Sequence, residues 1–342
     1  MTKSDLRRRP TLLSLARELG VSRQTVSNVI NAPHLVGQET RERVQAHIDR
    51  SGYRPSAIAR ALRTRRSYTV AIRLVPVPDG SRGEIMQRLL HATTESLEQY
   101  EYRPLLFTAT NQREEIKTIQ YLYDSAAIDA AILTRVDFGD QRPRRLQEAQ
   151  VPFVTFGRPR YDGADYSWVD IDNTTGIVEA IHHLRHLGHE QIGFLGWKQA
   201  ASTIERQGAW RQAMTSIAAH LDRSSLDRLD RTVRGGVHEG RQAMARLREN
   251  GATAVICSGD ALTLGVVNDL QDNPISGFDP DHSIFGFDDS PITTALGLSS
   301  IVQPIERIAS ALVAFVIAEI DHQKGPYSLL LSSAAHPRSH DH

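Results

Sequence analysis

Apolar positions near the start of the chain recur with helical period. Leu12, Leu15, Ala16 and Leu19 follow the i, i+3, i+4, i+7 spacing of one buried face. Thr11 stands where an N-cap belongs, and Gly20 where a left-handed residue would close the helix. Ser22 then caps a second helix over 22–31. On that helix Arg23, Gln24, Ser27, Asn28 and Asn31 share a polar sector of roughly 140°, with Val26, Val29 and Ile30 outside it. A solvated helix would favour Glu and Lys there. Arg, Gln and Asn are instead the side chains that make bidentate contacts to guanine and adenine edges. The pattern predicts a helix-turn-helix with its recognition helix at 22–31.

A third helix is written over 39–48, where Val44 and Ile48 can close a small core, and Ser51-Gly52-Tyr53-Arg54-Pro55 ends it. The Ala-rich segment 56–62 leads into Arg63-Thr64-Arg65-Arg66-Ser67. From Tyr68 the pattern changes to short apolar runs at 69–75, 104–107, 128–133, 151–156, 192–195, 253–257, 284–287 and 298–302. Helical stretches lie between them, as at 83–99, 173–187, 203–219 and 304–322. Alternating strand and helix predicts parallel sheet covered on both faces. Periodicity does not decide between one large sheet and two smaller lobes.

Net charge is zero, with 40 basic and 40 acidic residues, but the charge is not evenly spread. Residues 1–66 hold 14 Lys and Arg against 5 Asp and Glu, which leaves 26 against 35 for the remainder. A basic head on an acidic body is the footprint of a nucleic-acid-binding module joined to another domain. Cys257 is the sole cysteine, which excludes an intramolecular disulfide, and its apolar surroundings predict a buried small residue. No apolar run approaches a membrane span and no signal segment is evident, so a cytoplasmic location is expected.

Five sequence words complete the head: Gly20-Val21-Ser22, Gln24-Thr25-Val26-Ser27, Glu39-Thr40-Arg41, Gly52-Tyr53-Arg54-Pro55 and Ala59-Arg60-Ala61-Leu62. In this order and spacing the segment resembles the headpiece of the lactose-repressor (LacI) family of bacterial transcription regulators. The body carries similar family motifs: Val169–Asn173, His183-Leu184, Leu187–Gly196, Gly259–Leu262 with Leu264-Gly265, Phe285–Pro291 and Val302–Ile305.

The resemblance implies an all-α helix-turn-helix headpiece (1–55), a hinge (56–67) and a two-lobed, Rossmann-like α/β effector domain of the periplasmic-binding-protein type (68–342). The first lobe would comprise about 68–168 plus 303–325, the second about 169–302 plus the tail. On the DNA side it implies contacts from Thr11, Ser22, Ser27, Asn31, Thr40, Tyr53, Ser56 and Ala59. Base selection would come from Arg23, Gln24 and Asn28, and Leu62 would be a minor-groove wedge. The hinge 56–62 is too short to hold a helix alone in water; in the family it folds when two copies pair on the operator. Gly37 stands where a Ser usually caps the third helix.

For the effector, the resemblance points to Arg206 in Arg206-Gln207-Gly208-Ala209-Trp210 and to Asp288. An Arg donor fork facing an Asp acceptor suits sugar hydroxyls or a charged metabolite. Arg158, Trp197 and Asp260 are further cleft candidates, with Gly259 departing from the polar residue many relatives carry. A plain Arg206–Glu205 surface pair and core packing of Trp197 are the competing readings. His182, His183, His186 and His189, near Glu179 and Glu190, read as scaffold at a helix end rather than a metal site. Asp288-Asp289 reads as ligand recognition rather than acid–base chemistry, since no nucleophile elbow or phosphate loop accompanies it.

The expected protein is therefore a homodimeric repressor rather than an enzyme. It would need no cofactor, and its partners would be a pseudo-palindromic DNA operator and a small effector, a sugar above all. A cytoplasmic ligand-binding protein and an architectural DNA binder without effector control are the alternatives.

Overall fold

The computed structural model describes residues 10–54, 57–75, 83–161, 163–198, 200–217, 222–274 and 283–338; Ser56 lies outside them. The chain divides into two compact units, Met1–Ser67 and Tyr68–His342.

In the first unit α1 (Leu12–Leu19), α2 (Arg23–Asn31) and α3 (Gln38–Ser51) close around Leu15, Ala16, Val26, Val29, Val44, Ile48 and Tyr53. Thr11 and Ser14 form a reciprocal capping box, which satisfies two otherwise orphaned backbone donors. Ser22 accepts from the Thr25 amide at 2.9 Å and starts α2. Gly20 supplies the φ of 65° that lets the chain turn between the two helices. The third helix runs further than the 39–48 expected, ending at Gly52, and starts at Gly37 without a side-chain cap. Residues Ala57–Thr64 form α4 already in the single chain, where helix was expected only in paired copies. Its Ala-rich sequence favours helix, and Thr64 Oγ1 donates to the Arg60 carbonyl at 2.9 Å.

The second unit holds two six-stranded sheets. The first contains β1 (Thr69–Leu74), β2 (Arg103–Thr108), β3 (Ala130–Leu133), β4 (Phe153–Phe156), β5 (Trp168–Asp172) and β11 (Ser328–Ser332). Its order is β11-β5-β4-β3-β1-β2, with every pair parallel. The second contains β6 (Ile192–Trp197), β7 (Asp230–Val233), β8 (Ala254–Cys257), β9 (Ile284–Phe287), β10 (Ser299–Val302) and β12 (Ala334–His336). Its order is β12-β10-β9-β8-β6-β7, and only β12 runs antiparallel. Helices cover both, among them α5 (Gly83–Gln99), α6 (Gln112–Asp124), α7 (Arg142–Glu148), α8 (Thr175–His186), α9 (Ala201–Ile217), α10 (Arg223–Leu229), α11 (Val237–Glu249) and α12 (Asp260–Asp272). No described helix is long and apolar enough to cross a membrane.

Three chain segments pass between the lobes: Asn173–Thr174 after β5, Gln303–Pro304 after β10, and Ser333 between β11 and β12. The lobe boundary therefore lies beyond Asp172 rather than at 168, and the first lobe extends to Ser332 rather than to about 325. The tail is an ordered edge strand, β12. After it, Arg338 donates to the Leu298 carbonyl at 2.8 Å, to Asp289 at 2.6 Å and to Thr294 at 3.0 Å.

Helices α11 and α12 approach backbone to backbone where two glycines meet. A Cβ on Gly265 would stand 2.4 Å from the Val237 carbonyl oxygen and 2.7 Å from the Arg241 nitrogen. A Cβ on Gly240 would meet the Leu262 carbonyl at 2.9 Å. In an open helix Gly→Ala is stabilising by up to about 1 kcal/mol. Here overpacking against backbone opposes it, so Gly265→Ala should destabilise the protein by about 1–3 kcal/mol. Chemical denaturation measures this, and a more stable variant would show that the two helices can move apart.

Candidate functional site

On the first unit, α2 turns Arg23 and Gln24 outward together with Ser27, Asn28 and Asn31, while Val26 and Val29 are buried. Gln24 Nε2 donates to Asn28 Oδ1 at 2.8 Å, and Asn31 Nδ2 donates to the Ser27 carbonyl at 2.9 Å. The first of these joins two amides one turn apart into a single presenting group, the geometry that holds an amide edge ready for a base. Thr11 and Ser22 are exposed caps, and Thr40 is half-buried on α3. Tyr53 sits deeper than the other expected contacts among the described residues. Its ring is part of the core at 7% exposure, and burial raises its hydroxyl pKa. On α4, Ala59 is exposed and Leu62 is 79% exposed, an unusual degree for a leucine.

In the second unit a cleft of about 960 Å³ opens where the parallel strands of both sheets end. Carboxyl ends of parallel strands are where open α/β sheets hold ligands. Leu74, Phe156, Ile85 and Met86 give the first lobe an apolar wall. Trp197, Arg206 and Asp288 stand on the second-lobe wall, and Gln303 joins them from a crossover.

Arg206 is 7% exposed. Its guanidinium donates to Asn173 Oδ1 at 2.9 Å and to the Ser258 carbonyl at 2.7 Å. Its Cζ lies 3.3 Å above the Phe287 ring. Burial pushes its pKa down to about 10, which still leaves it charged at neutral pH. The surface pairing with Glu205 does not form. Glu205 instead reaches across the lobes to Arg158 at 3.4 Å and to Arg160. Asp288 accepts from Gln303 Nε2 and has a φ of 98°, followed by Asp289 at 50°. Two consecutive non-glycine residues in left-handed backbone store strain of the kind that gathers at ligand clamps. Trp197, at 8% exposure, donates its indole N–H to the Gly235 carbonyl at 2.9 Å and lines the cleft. Trp210 is fully buried.

Two candidates are not brought into the cleft. Arg158 is engaged by Asp170 at 2.7 Å, by the Ile171 carbonyl and by Glu205; Arg160, two residues on, lines the cleft instead. Asp260 lies behind β9, accepting from the Ser290 amide at 2.9 Å and from Thr293 Oγ1 at 3.3 Å. The reason is local. As the first residue of α12 it turns toward the second helix start at Ser290 rather than outward. Burial and, next, the charge of Asp288 push its pKa up to about 7.

Other interlobe links were not apparent from the sequence. The Ala201 amide donates to Asp137 Oδ1 at 3.1 Å, and Arg88 Nη1 donates to the Asp288 carbonyl at 3.3 Å. Asn173 and Gln303 sit within the motifs Val169–Asn173 and Val302–Ile305, so their positions were visible though their roles were not. Two of the four helix-end histidines pack against neighbours. His183 meets Phe285 edge-on, and His189 contacts Thr253 and Ser283, each at 3.3 Å.

Comparison with known proteins agrees with this geometry. Residues 11–56 match the model for bacterial regulatory proteins of the lacI family, and 181–339 match the periplasmic binding protein-like domain. The HTH-type transcriptional regulator CelR of Thermobifida fusca is 30% identical over 325 residues, covering 92% of this chain and 93% of its own. The regulator AglR of Rhizobium meliloti is 28% identical over 326 residues, 91% of this chain and 89% of that one. A CelR–cellobiose complex superposes with a TM-score of 0.69 at 26% identity, covering 96% of this chain and 99% of that chain. The lac repressor dimer bound to operator and the anti-inducer ONPF reaches 0.79 at 21% identity, with 97% and 98% covered. A helix-turn-helix head, a cleft-bearing two-sheet body and a near full-length relative at this identity together make the chain a member of the LacI family of DNA-binding transcriptional regulators.

Proposed function

We propose that the protein is a repressor that binds a pseudo-palindromic operator as a homodimer, its affinity switched by a small neutral polyhydroxyl ligand, a sugar, in the cleft. The observation that carries this reading is the second-lobe wall. A buried guanidinium, a carboxylate and an indole stand together on a cleft of about 960 Å³ that the protein's own side chains leave open. An architectural binder that senses nothing would fill such a space. Charge supports a neutral ligand: Arg73 is engaged by Glu115 at 2.6 Å, Arg160 by Glu205, and Asp137 and Glu239 line the same walls as Arg135 and Arg234. The sugar-bound CelR relative is a parallel for the ligand class.

On the head, Arg23, Gln24 and Asn28 would read base edges, and Thr11, Ser22, Ser27, Asn31 and Thr40 the backbone. Leu62 would enter the minor groove, its exposure on α4 suiting a wedge. Ligand closure of the cleft would bias how two bodies hold their α4 segments, and so the operator-competent population.

Arg23→Ala should cost about 1–3 kcal/mol on an operator selected from a random DNA pool and relax preference at one base pair. Binding to unselected DNA should change much less. Equal losses on both, in a fluorescence-anisotropy titration, would reduce Arg23 to a phosphate contact.

For the cleft, Asp288→Asn is a cleaner test than removal of Arg206, whose buried guanidinium also braces Asn173 and Ser258. Losing a charged acceptor costs about 1.5–3 kcal/mol, so the affinity for an active sugar should fall at least tenfold with operator binding retained. A mono- and disaccharide panel followed by thermal shift and operator release reads this. Unchanged sugar affinity would place recognition elsewhere.

The wall also carries a pH signature. Burial and the charge of Asp288 push the pKa of Asp260 up to about 7 from an ordinary carboxyl value of 3.8, beside the thiol of Cys257, itself pushed up to about 12. Between pH 4 and 7, roughly, the folded chain holds a proton that the unfolded chain has released, so this group's contribution to stability falls as pH rises through that window. The full span is on the order of 4 kcal/mol. Asp260→Asn should therefore gain stability relative to the parent as pH climbs from about 5 to 8. A difference that stays flat with pH would mean Asp260 is already ionised.

A further inference from the structure

We infer that the turn Ser258–Gly259–Asp260, which joins β8 to α12, determines the specificity of the cleft from behind, each of its residues positioning one ligand-facing group. The inference rests on the reading of Arg206, Trp197 and Asp288 as the ligand-facing wall. Gly259 and Asp260 do not themselves line the cleft.

Ser258 acts through its backbone. Its carbonyl accepts from Arg206 Nη1 at 2.7 Å, which fixes one arm of the guanidinium fork. The Nε at its stem donates to Asn173 on the first crossover.

Gly259 acts through what it lacks. Its φ of 169° is ordinary extended backbone, so conformation does not call for glycine. Space does: a Cβ there would stand 2.3 Å from Trp197 Cη2 and 2.5 Å from Cζ3. The indole is pinned at its far side by the 2.9 Å bond to the Gly235 carbonyl, so it cannot simply slide away. At a helix N-cap Ser, Thr, Asp and Asn are preferred, and this helix has no side-chain cap. The indole thus occupies the space where a hydrogen-bonding side chain would otherwise stand. The indole lines the cleft on the same wall as the donor fork and the Asp288 acceptor, an apolar surface suited to the C–H groups of a pyranose ring.

Asp260 braces the strained acceptor from one flank. Its Oδ2 takes the Ser290 amide, two residues after Asp288, and the Thr293 hydroxyl at 3.3 Å. Its Oδ1 is buried beside Gly286 without a hydrogen-bond partner among the described residues, and a Cβ on Gly286 would come within 2.8 Å of it. The left-handed backbone at 288–289 is thus anchored on its C-terminal side.

A double-mutant cycle on Gly259→Ala and Trp197→Ala tests the inference in the full-length protein. Gly259→Ala should lower the melting temperature by several degrees and make Trp197 more accessible to acrylamide, isolated as the difference from Trp197→Ala. In the Trp197→Ala background the same change should be nearly silent, because the obstacle is gone. Equal destabilisation in both backgrounds overturns the inference. If Gly259→Ala does not fold, folding of the double variant supports the inference and failure of the double variant overturns it. Asp260→Ala should leave acrylamide access to Trp197 unchanged, since it acts at the other end of the wall; an increase equal to that of Gly259→Ala would overturn the one-to-one assignment. With a neutral mono- and disaccharide panel as probe, Gly259→Ala should weaken any sugar affinity at least tenfold, and undiminished affinity overturns the specificity role. If no sugar shifts the parent protein, the sugar reading fails alone and the cycle still decides the turn.

Discussion

A guanidinium taken out of water is the constraint around which the body is arranged. An isolated buried charge costs far more than the whole stability of a domain, so it persists only where other elements compensate it. For Arg206 those elements are Asn173 on a crossover, the Ser258 carbonyl past β8 and the Phe287 ring at the end of β9. One side chain on α9 thereby ties together a strand end from each side of the second sheet's centre and the chain's first passage between lobes. The wall that faces the ligand and the segment that joins the lobes share a single polar node.

A second polar layer sits on the other side. Glu115 is 1% exposed and takes Arg73 at 2.6 Å and Arg142 at 2.9 Å, while Arg142 also holds Asp140. Because Arg73 lines the cleft, the first lobe's wall too is anchored through a network closed behind it. Each lobe presents groups whose positions are fixed from within, as preorganised recognition requires.

The sequence disclosed what depends on period and on local chemistry. The headpiece was legible down to its caps, because Thr11, Ser22 and Gly20 act on neighbours within three residues. Eight strands marked by short apolar runs were legible too. Four escaped: β7, which reads Asp-Arg-Thr-Val, β11 and β12 are sheet edges, and β5 is an interior strand whose Trp-Val-Asp-Ile-Asp breaks the apolar run with acids. The cleft was half legible. Arg206, Asp288 and Trp197 are brought to one wall, but Arg158 and Asp260 are drawn away by Asp170, Glu205 and the Ser290 helix start. Such pairings span 12 to 47 residues, beyond the reach of any periodic signal. Tyr53 illustrates the same limit: its motif is plain, but the fold turns its ring into the head's own core.

The third crossover is laced to the first. Ser333 Oγ donates to the Asp172 carbonyl at 2.8 Å and accepts from the Gly176 amide at 3.3 Å, and Gly176 is bare where a Cβ would meet Ile301 at 2.4 Å. In mechanical terms this is a flexure rather than a swivel. A single strand between two bodies leaves rotation about its own axis free, whereas connections fastened side by side resist twist and yield more readily to bending. With Gln303–Pro304 as a further connection, the lobes are held against free rotation about any one of them.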